Sequence, residues 1–327
     1  MGAVLQHYFF LPFPRRAPRT VRPRRRAFSC TRESFMLLYA KLMLATVFWG
    51  GTFVAGRIAA AHAGPFSAAF LRFAMATGLL FWYVRRREGA LPRLTSPGMH
   101  GWAGVLLLGA TGVFAYNALF FTGLATVPAS RAAVIVTNNP IAIAVGAALF
   151  LGEPLSRRKL AGILLSVGGA VIAITRGNPL TLFSSALSWG DVALLGCLAS
   201  WAAYSLLGKV VMRALSPLAA VTWSCAVGTV MLLPFALHEG LWTALPEYPA
   251  ALWIAAAYLG VFGTVLGFTW FYEAVKEIGA GRAGVFINFV PLTAIVCAWA
   301  MLGEALPVSL LLGAALVTCG VFITNRA

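Results

Sequence analysis

The apolar residues of this chain come in long runs of about 20, the length that matches the hydrocarbon thickness of a bilayer. Ten such runs can be read, at 37–60, 67–84, 101–123, 129–151, 160–176, 190–212, 218–237, 250–274, 282–303 and 307–325. Short charged or Pro/Gly-rich breaks separate them, so no soluble domain is inserted between runs. With 60% hydrophobic and 10% charged residues, the 327-residue chain cannot bury its apolar surface in one soluble core. Soluble enzymes, disordered chains and disulfide scaffolds are excluded on that ground. The expected class is an all-α integral membrane protein of ten transmembrane helices. The five cysteines, Cys30, Cys197, Cys225, Cys297 and Cys319, form no CxxC pair and read as small hydrophobes.

The net charge of +16 has two sources. Residues 1–36 form an Arg-rich tail with Arg15, Arg16, Arg19, Arg22, Arg24, Arg25, Arg26 and Arg32, and Glu33 as its one acid. A transit peptide or a lipid-binding arm has this composition. The reading adopted is a start site placed too far upstream, with Met36 or Met43 as first residue, so no nucleic-acid partner is inferred. The remaining charge is asymmetric. One set of loops carries Arg85, Arg86, Arg87, Arg93, Arg157, Arg158, Lys159, Arg213, Lys276 and Arg326; the other has only Arg176 as a clear cation. Short basic loops stay in the cytoplasm, which makes both termini cytoplasmic in a multi-pass protein of the cell (inner) membrane.

Sliding the sequence by 151 positions reveals an internal repeat. Of the 47 positions from 129 to 175, 16 meet an identical residue, among them Arg131 with Arg282, Pro140 with Pro291 and Gly152-Glu153 with Gly303-Glu304. Earlier in each half the offset is 152, pairing Trp49 with Trp201, Arg57 with Lys209 and Pro65 with Pro217. Two halves of five spans, 37–176 and 190–327 joined by a linker at 177–189, place the second copy upside down. Inverted repeats of this kind are characteristic of secondary transporters, where one half rocks against the other around a site at mid-depth.

The residues Phe48-Trp49-Gly50, Pro65 with Arg72, Tyr116-Asn117-Ala118-Leu119, Pro140 and Leu151-Gly152-Glu153-Pro154-Leu155 carry a resemblance. Their second-copy counterparts Trp201, Tyr204, Lys209, Ala280 to Pro291 and Leu302-Gly303-Glu304 extend it. From about residue 40 to its end the chain resembles the drug/metabolite transporter superfamily, in particular its EamA-type ten-helix exporters. The resemblance implies two inverted five-helix repeats around a central cavity, moving small metabolites, often amino acids or related solutes, usually outward. The tail lies outside the pattern.

Mid-span polar and aromatic residues are the candidates for the solute site. Pro140 and Pro291 lack an N–H and free the carbonyls of Val136 and Ile287, as hinge or gate residues do. Asn117, Asn138, Asn139 and Asn288 need hydrogen-bond partners in hydrocarbon and should face the bundle interior. Trp49, Tyr116, Trp201, Tyr204, Trp270 and Tyr272 offer apolar faces with a polar handle. Trp82, Tyr83, Trp102, Trp242 and Trp253 read instead as the headgroup belt. Among charged residues, Arg72 sits deep enough to bind a carboxylate or a partner. Arg57 and Lys209 can snorkel, Glu153 and Glu304 should organise the loops that follow them, and Glu273 is the weak candidate for a proton carrier. Interhelical hydrogen bonds and packing kinks compete with each of these roles.

Enzyme chemistry finds no footing. Asp191 is the one aspartate, the four histidines are scattered, and no HExxH, GxSxG or GxxxxGK[ST] occurs. No metal or cofactor is expected. The partners expected are a small solute and the lipid bilayer, with a homodimer as an option; the small-residue stripe Gly162, Ser166 and Ala170 suits close packing inside one chain or between two. Export of a small metabolite leads; import by the same fold and a non-transporting membrane scaffold are the alternatives.

Overall fold

A computed structural model describes residues 32–88, 99–151, 156–178, 188–211, 215–278, 286–287 and 289–326. Among these residues every regular element is a helix. The first half holds α1 (Arg32–His62), α2 (Pro65–Glu88), α3 (Met99–Leu108), a π-helix (Gly109–Ala115), α4 (Tyr116–Thr126), α5 (Ala129–Val136), α6 (Asn139–Leu151) and α7 (Arg157–Ile174). The second holds α8 (Trp189–Val211), α9 (Pro217–His238), the short α10 (Leu241–Ala244), α11 (Ala250–Tyr258), a second π-helix (Leu259–Leu266), α12 (Gly267–Ile278), α13 (Val290–Leu302) and α14 (Val308–Arg326). Seven of the described helical stretches are long and apolar enough to cross a bilayer, and Val290–Leu302 and Val308–Thr324 are shorter apolar helices. Leu149, Val230, Ile254 and Trp299 stand exposed on the outside of the bundle. Side chains of that kind belong against lipid tails.

Two local rules of the sequence survive in the backbone. The helix that begins at Ala129 stops at Val136, and α6 restarts at Asn139, one residue before Pro140. In the second half α13 restarts at Val290, one residue before Pro291. Proline fits the first turn of a helix, where its missing N–H goes unused. The π-helices follow the same repeat: Gly109 and Gly112 in the first are matched by Gly260 and Gly263 in the second. A π turn holds an extra residue and loosens the carbonyls on one face, a feature common at functional sites.

The halves interleave. Helix α9 packs on α2, α13 on α1, α8 on α4 and α14 on α7, each pair joining one half to the other. The last pair touches backbone to backbone. A Cβ added at Gly320 would lie 2.5 Å from the Gly162 carbonyl oxygen and the Ser166 nitrogen, and one at Gly169 would lie 2.7 Å from the Gly313 oxygen. The stripe of Gly162 and Ser166 is therefore occupied within the chain. Nearer the middle, Phe121, Leu124, Ile135, Leu194 and Leu259 are fully buried and form the packed core.

Candidate functional site

The site grows from the two π-helices. The first ends at Ala115, two residues before Asn117, whose Nδ2 donates to the loosened carbonyls of Val113, at 2.9 Å, and Gly112, at 3.4 Å. This anchors the amide with Oδ1 turned to Arg72, whose Nη1 donates to it at 3.0 Å. In the second π-helix, Thr264 Oγ donates to the Leu259 carbonyl at 3.1 Å and accepts from Arg72 Nε at 3.4 Å and Nη2 at 3.3 Å. Arg72, from α2, is thus held by one neutral acceptor from each half of the chain. Its guanidinium also lies 4.9 Å from the ring centre of Phe73, a cation–π contact. Sequence reasoning placed Arg72 and Asn117 at depth but missed Thr264 and the π turns; the spaced glycine pairs were the available signal.

Aromatic rings flank this polar centre. The Tyr116 and Trp201 rings lie tilted to each other at 5.3 Å between centroids, those of Trp201 and Tyr204 at 5.2 Å, and Trp201 and Trp49 both contact Phe268, at 6.3 and 5.7 Å. Trp49 Nε1 donates to the Gly263 carbonyl at 2.9 Å, tying the cluster to the second π turn. Glycine is needed where the rings lie on backbone: a Cβ at Gly267 would meet Trp49 Nε1 at 2.6 Å, and one at Gly112 would meet the Tyr204 ring. Trp49, Tyr116, Trp201 and Tyr204 are each only partly buried although they sit mid-helix. Four of the six aromatic candidates are therefore brought together, drawn from α1, α4 and α8. Trp270 lies apart from them, 5.7 Å from Phe48.

The two adjacent asparagines part company. Asn138 is buried; its Nδ2 donates to Val134 and Ile135 carbonyls and its Oδ1 accepts from Ser166 Oγ at 2.6 Å, so it ties the helix break to α7. Asn139 turns the other way, within side-chain hydrogen-bonding reach of Tyr116, and its Oδ1 is buried with no hydrogen-bond partner. Glu273 pairs with Lys41 at 3.0 Å. With both groups about a third exposed, K41E or E273K alone should cost about 0.5–1 kcal/mol and the double reversal should restore it, measured as a double-mutant cycle in thermal unfolding. Glu153 and Asn288 lie outside the described residues, as do the side chains of Lys209 and Tyr272.

One end of the bundle is closed by polar clasps. Glu304 follows α13, yet its carboxylate reaches the start of α5, accepting from Ala129 N at 2.7 Å, Ser130 N at 3.0 Å and Ser130 Oγ at 2.5 Å. Glu239 follows α9 and does the same for α2, accepting from Phe66 N at 3.1 Å, Ser67 N at 2.7 Å and Ser67 Oγ at 2.8 Å. Each carboxylate takes up free N–H groups at a helix start, on the other half of the chain. Arg131 adds an ion pair with the buried Asp191 at 2.7 Å, also across halves. Arg57 donates to the carbonyls of Leu124 and Val127, closing the end of α4. Glu304 was expected to organise the loop after it; the helix it caps is instead 174 residues away in sequence.

Comparison with known proteins fits this arrangement. Residues 35–175 and 188–326 each match the EamA-like transporter family. The uncharacterized transporter YyaM of Bacillus subtilis (strain 168) is 29% identical over 88% of this chain and 93% of its own. A probable terminal-alkyne amino-acid exporter of Streptantibioticus cattleyicolor is 29% identical over 87% of this chain and 92% of its own. A solved crystal structure shares the fold with TM-score 0.59 at 19% identity, covering 90% of this chain and 98% of the other.

Proposed function

The chain belongs to the EamA-like transporter family, and from that premise we propose that it exports a small metabolite, an amino acid or a related solute, across the cell membrane by alternating access. In this reading ten spans form two inverted repeats, with the basic loops and both termini in the cytoplasm and the Glu239 and Glu304 clasps outside. The observation that carries it is the cluster of Trp49, Tyr116, Trp201 and Phe268 beside Arg72. Partly exposed rings and a polar centre, contributed by both halves at mid-helix, are what a solute needs in order to be handed from one side to the other. The similarity to an amino-acid exporter supports the choice of solute.

Proteoliposomes test the proposal. Reconstituted protein should accelerate efflux of at least one labelled amino acid from a panel, and W49A or W201A should lower that flux about tenfold or more without preventing insertion. Flux inward only points to an importer. No flux for any solute, from protein that is monodisperse and folded, leaves the scaffold reading.

A further inference from the structure

Among the described residues Arg72 has no counter-charge. The sequence has nine acidic residues, and the described ones are engaged or distant. Asp191 pairs with Arg131 and Glu273 with Lys41. Glu239 and Glu304 accept backbone N–H groups at helix starts. Glu88 is 16 residues further along α2, about 24 Å away at the α-helical rise. Glu33 and Glu277 lie at the ends of their helices and Glu247 in the turn before α11. Among the described residues the guanidinium therefore meets only the neutral oxygens of Asn117 and Thr264.

Burying a cation at this depth is unfavourable unless something offsets it, and an intramembrane ionisable group marks a functional site by default. Three of the five guanidinium N–H groups are in use, which leaves one on each terminal nitrogen. That fork matches the two oxygens of a carboxylate. Next to it, Tyr116 is within electrostatic reach of Arg72 and within reach of Asn139, whose buried Oδ1 is an acceptor left open. Unused N–H groups on Arg72 and an unpaired acceptor on Asn139, both within reach of Tyr116, suit a small molecule carrying both a carboxylate and an N–H or O–H.

We propose that the transported solute carries a carboxylate and that Arg72 binds it, the solute supplying the negative charge that the described residues do not. This rests on the transporter reading above and narrows it to one chemical class. The test uses matched pairs on purified wild-type protein: L-phenylalanine with L-phenylalaninamide, L-leucine with L-leucinamide, and benzoate with benzamide. Thermal unfolding and tryptophan fluorescence report binding, the latter because Trp49 and Trp201 adjoin the site. At least one acid should raise the melting temperature and bind about tenfold or more tightly than its amide. Arg72→Gln should erase the difference within the pair and Arg72→Lys, which keeps the charge but not the fork, should retain part of it. Amides that bind as well as their acids, or a panel in which no acid binds the wild-type protein, overturn the proposal whether or not the variants fold. Efflux separates it from the reading it rests on. Flux of solutes without a carboxylate, equal in wild type and Arg72→Gln, removes the anchor and leaves the transporter standing; no flux of any solute removes the transporter.

Discussion

Glu304→Gln is expected to raise the population open at the clasped end about tenfold or more. The carboxylate accepts three hydrogen bonds at the start of α5, two from backbone N–H groups and one from Ser130. Glutamine keeps one acceptor oxygen and turns an NH₂ group toward a donor, so at least one charge-assisted bond becomes a mismatch. A loss of about 1.5–3 kcal/mol follows, and each 1.4 kcal/mol is tenfold in an equilibrium. The readout is V127C, in a background lacking accessible native cysteines, labelled with a membrane-impermeant maleimide. Val127 is buried beside the clasp, so its labelling rate follows the open population. Ser130→Ala, which removes one of the three bonds, should accelerate labelling less. Equal rates in wild type and E304Q, with folding intact, mean that the carboxylate is a fixed cap and takes no part in opening.

Gly320→Val should be the most damaging single substitution for stability, at about 3 kcal/mol or more. Its Cβ would lie 2.5 Å from two backbone atoms of α7, and backbone cannot swing aside as a side-chain tip can. The two helices must separate, forfeiting contacts along the whole seam of Gly162, Ser166, Gly169, Gly313 and Gly320; overpacking of a tight core costs about 1–3 kcal/mol even where some relaxation is available. Gly168→Val is the control. A Cβ there meets nothing within 4 Å, so thermal unfolding in detergent should leave it near wild type while G320V loses many degrees. If both variants melt alike, the seam does not hold the halves together.

Much of this architecture was legible because its causes are local. Runs of about 20 apolar residues and the Pro140–Pro291 pair act on the backbone where they stand, and the helices restart one residue before each proline. Among the aromatic candidates, Tyr116, Trp201 and Tyr204 meet directly, and Trp49 joins them through Phe268, a contact no single span announces. The π-helices were hidden, since a π turn and an α turn present the same apolar composition, and only Gly109, Gly112, Gly260 and Gly263 hinted at them. Periodicity also failed to separate Asn138 from Asn139. Asn138 stands in the break between α5 and α6 and reaches Ser166, while Asn139 opens α6 and turns toward Tyr116. The clasps were the least visible feature. Nothing near Glu239 or Glu304 in sequence names Ser67 or Ser130 as a partner, because the donors belong to helix starts in the opposite half.

In the proposed transport cycle, a guanidinium hydrogen-bonded among the described residues only to an amide and a hydroxyl also ties the empty carrier to the membrane voltage. A full charge crossing the field changes energy by about 2.3 kcal/mol per 100 mV, and a rocking bundle changes how much of that field lies on either side of Arg72. In the proposed export cycle, with the cell interior negative, the unloaded protein would be drawn toward the cytoplasm-facing arrangement, where solute is waiting. A bound solute with a carboxylate and no ammonium group would cancel the charge and release that pull, whereas a zwitterionic amino acid would leave it in place. For such an anionic solute the resting potential would act as a spring that resets the proposed cycle.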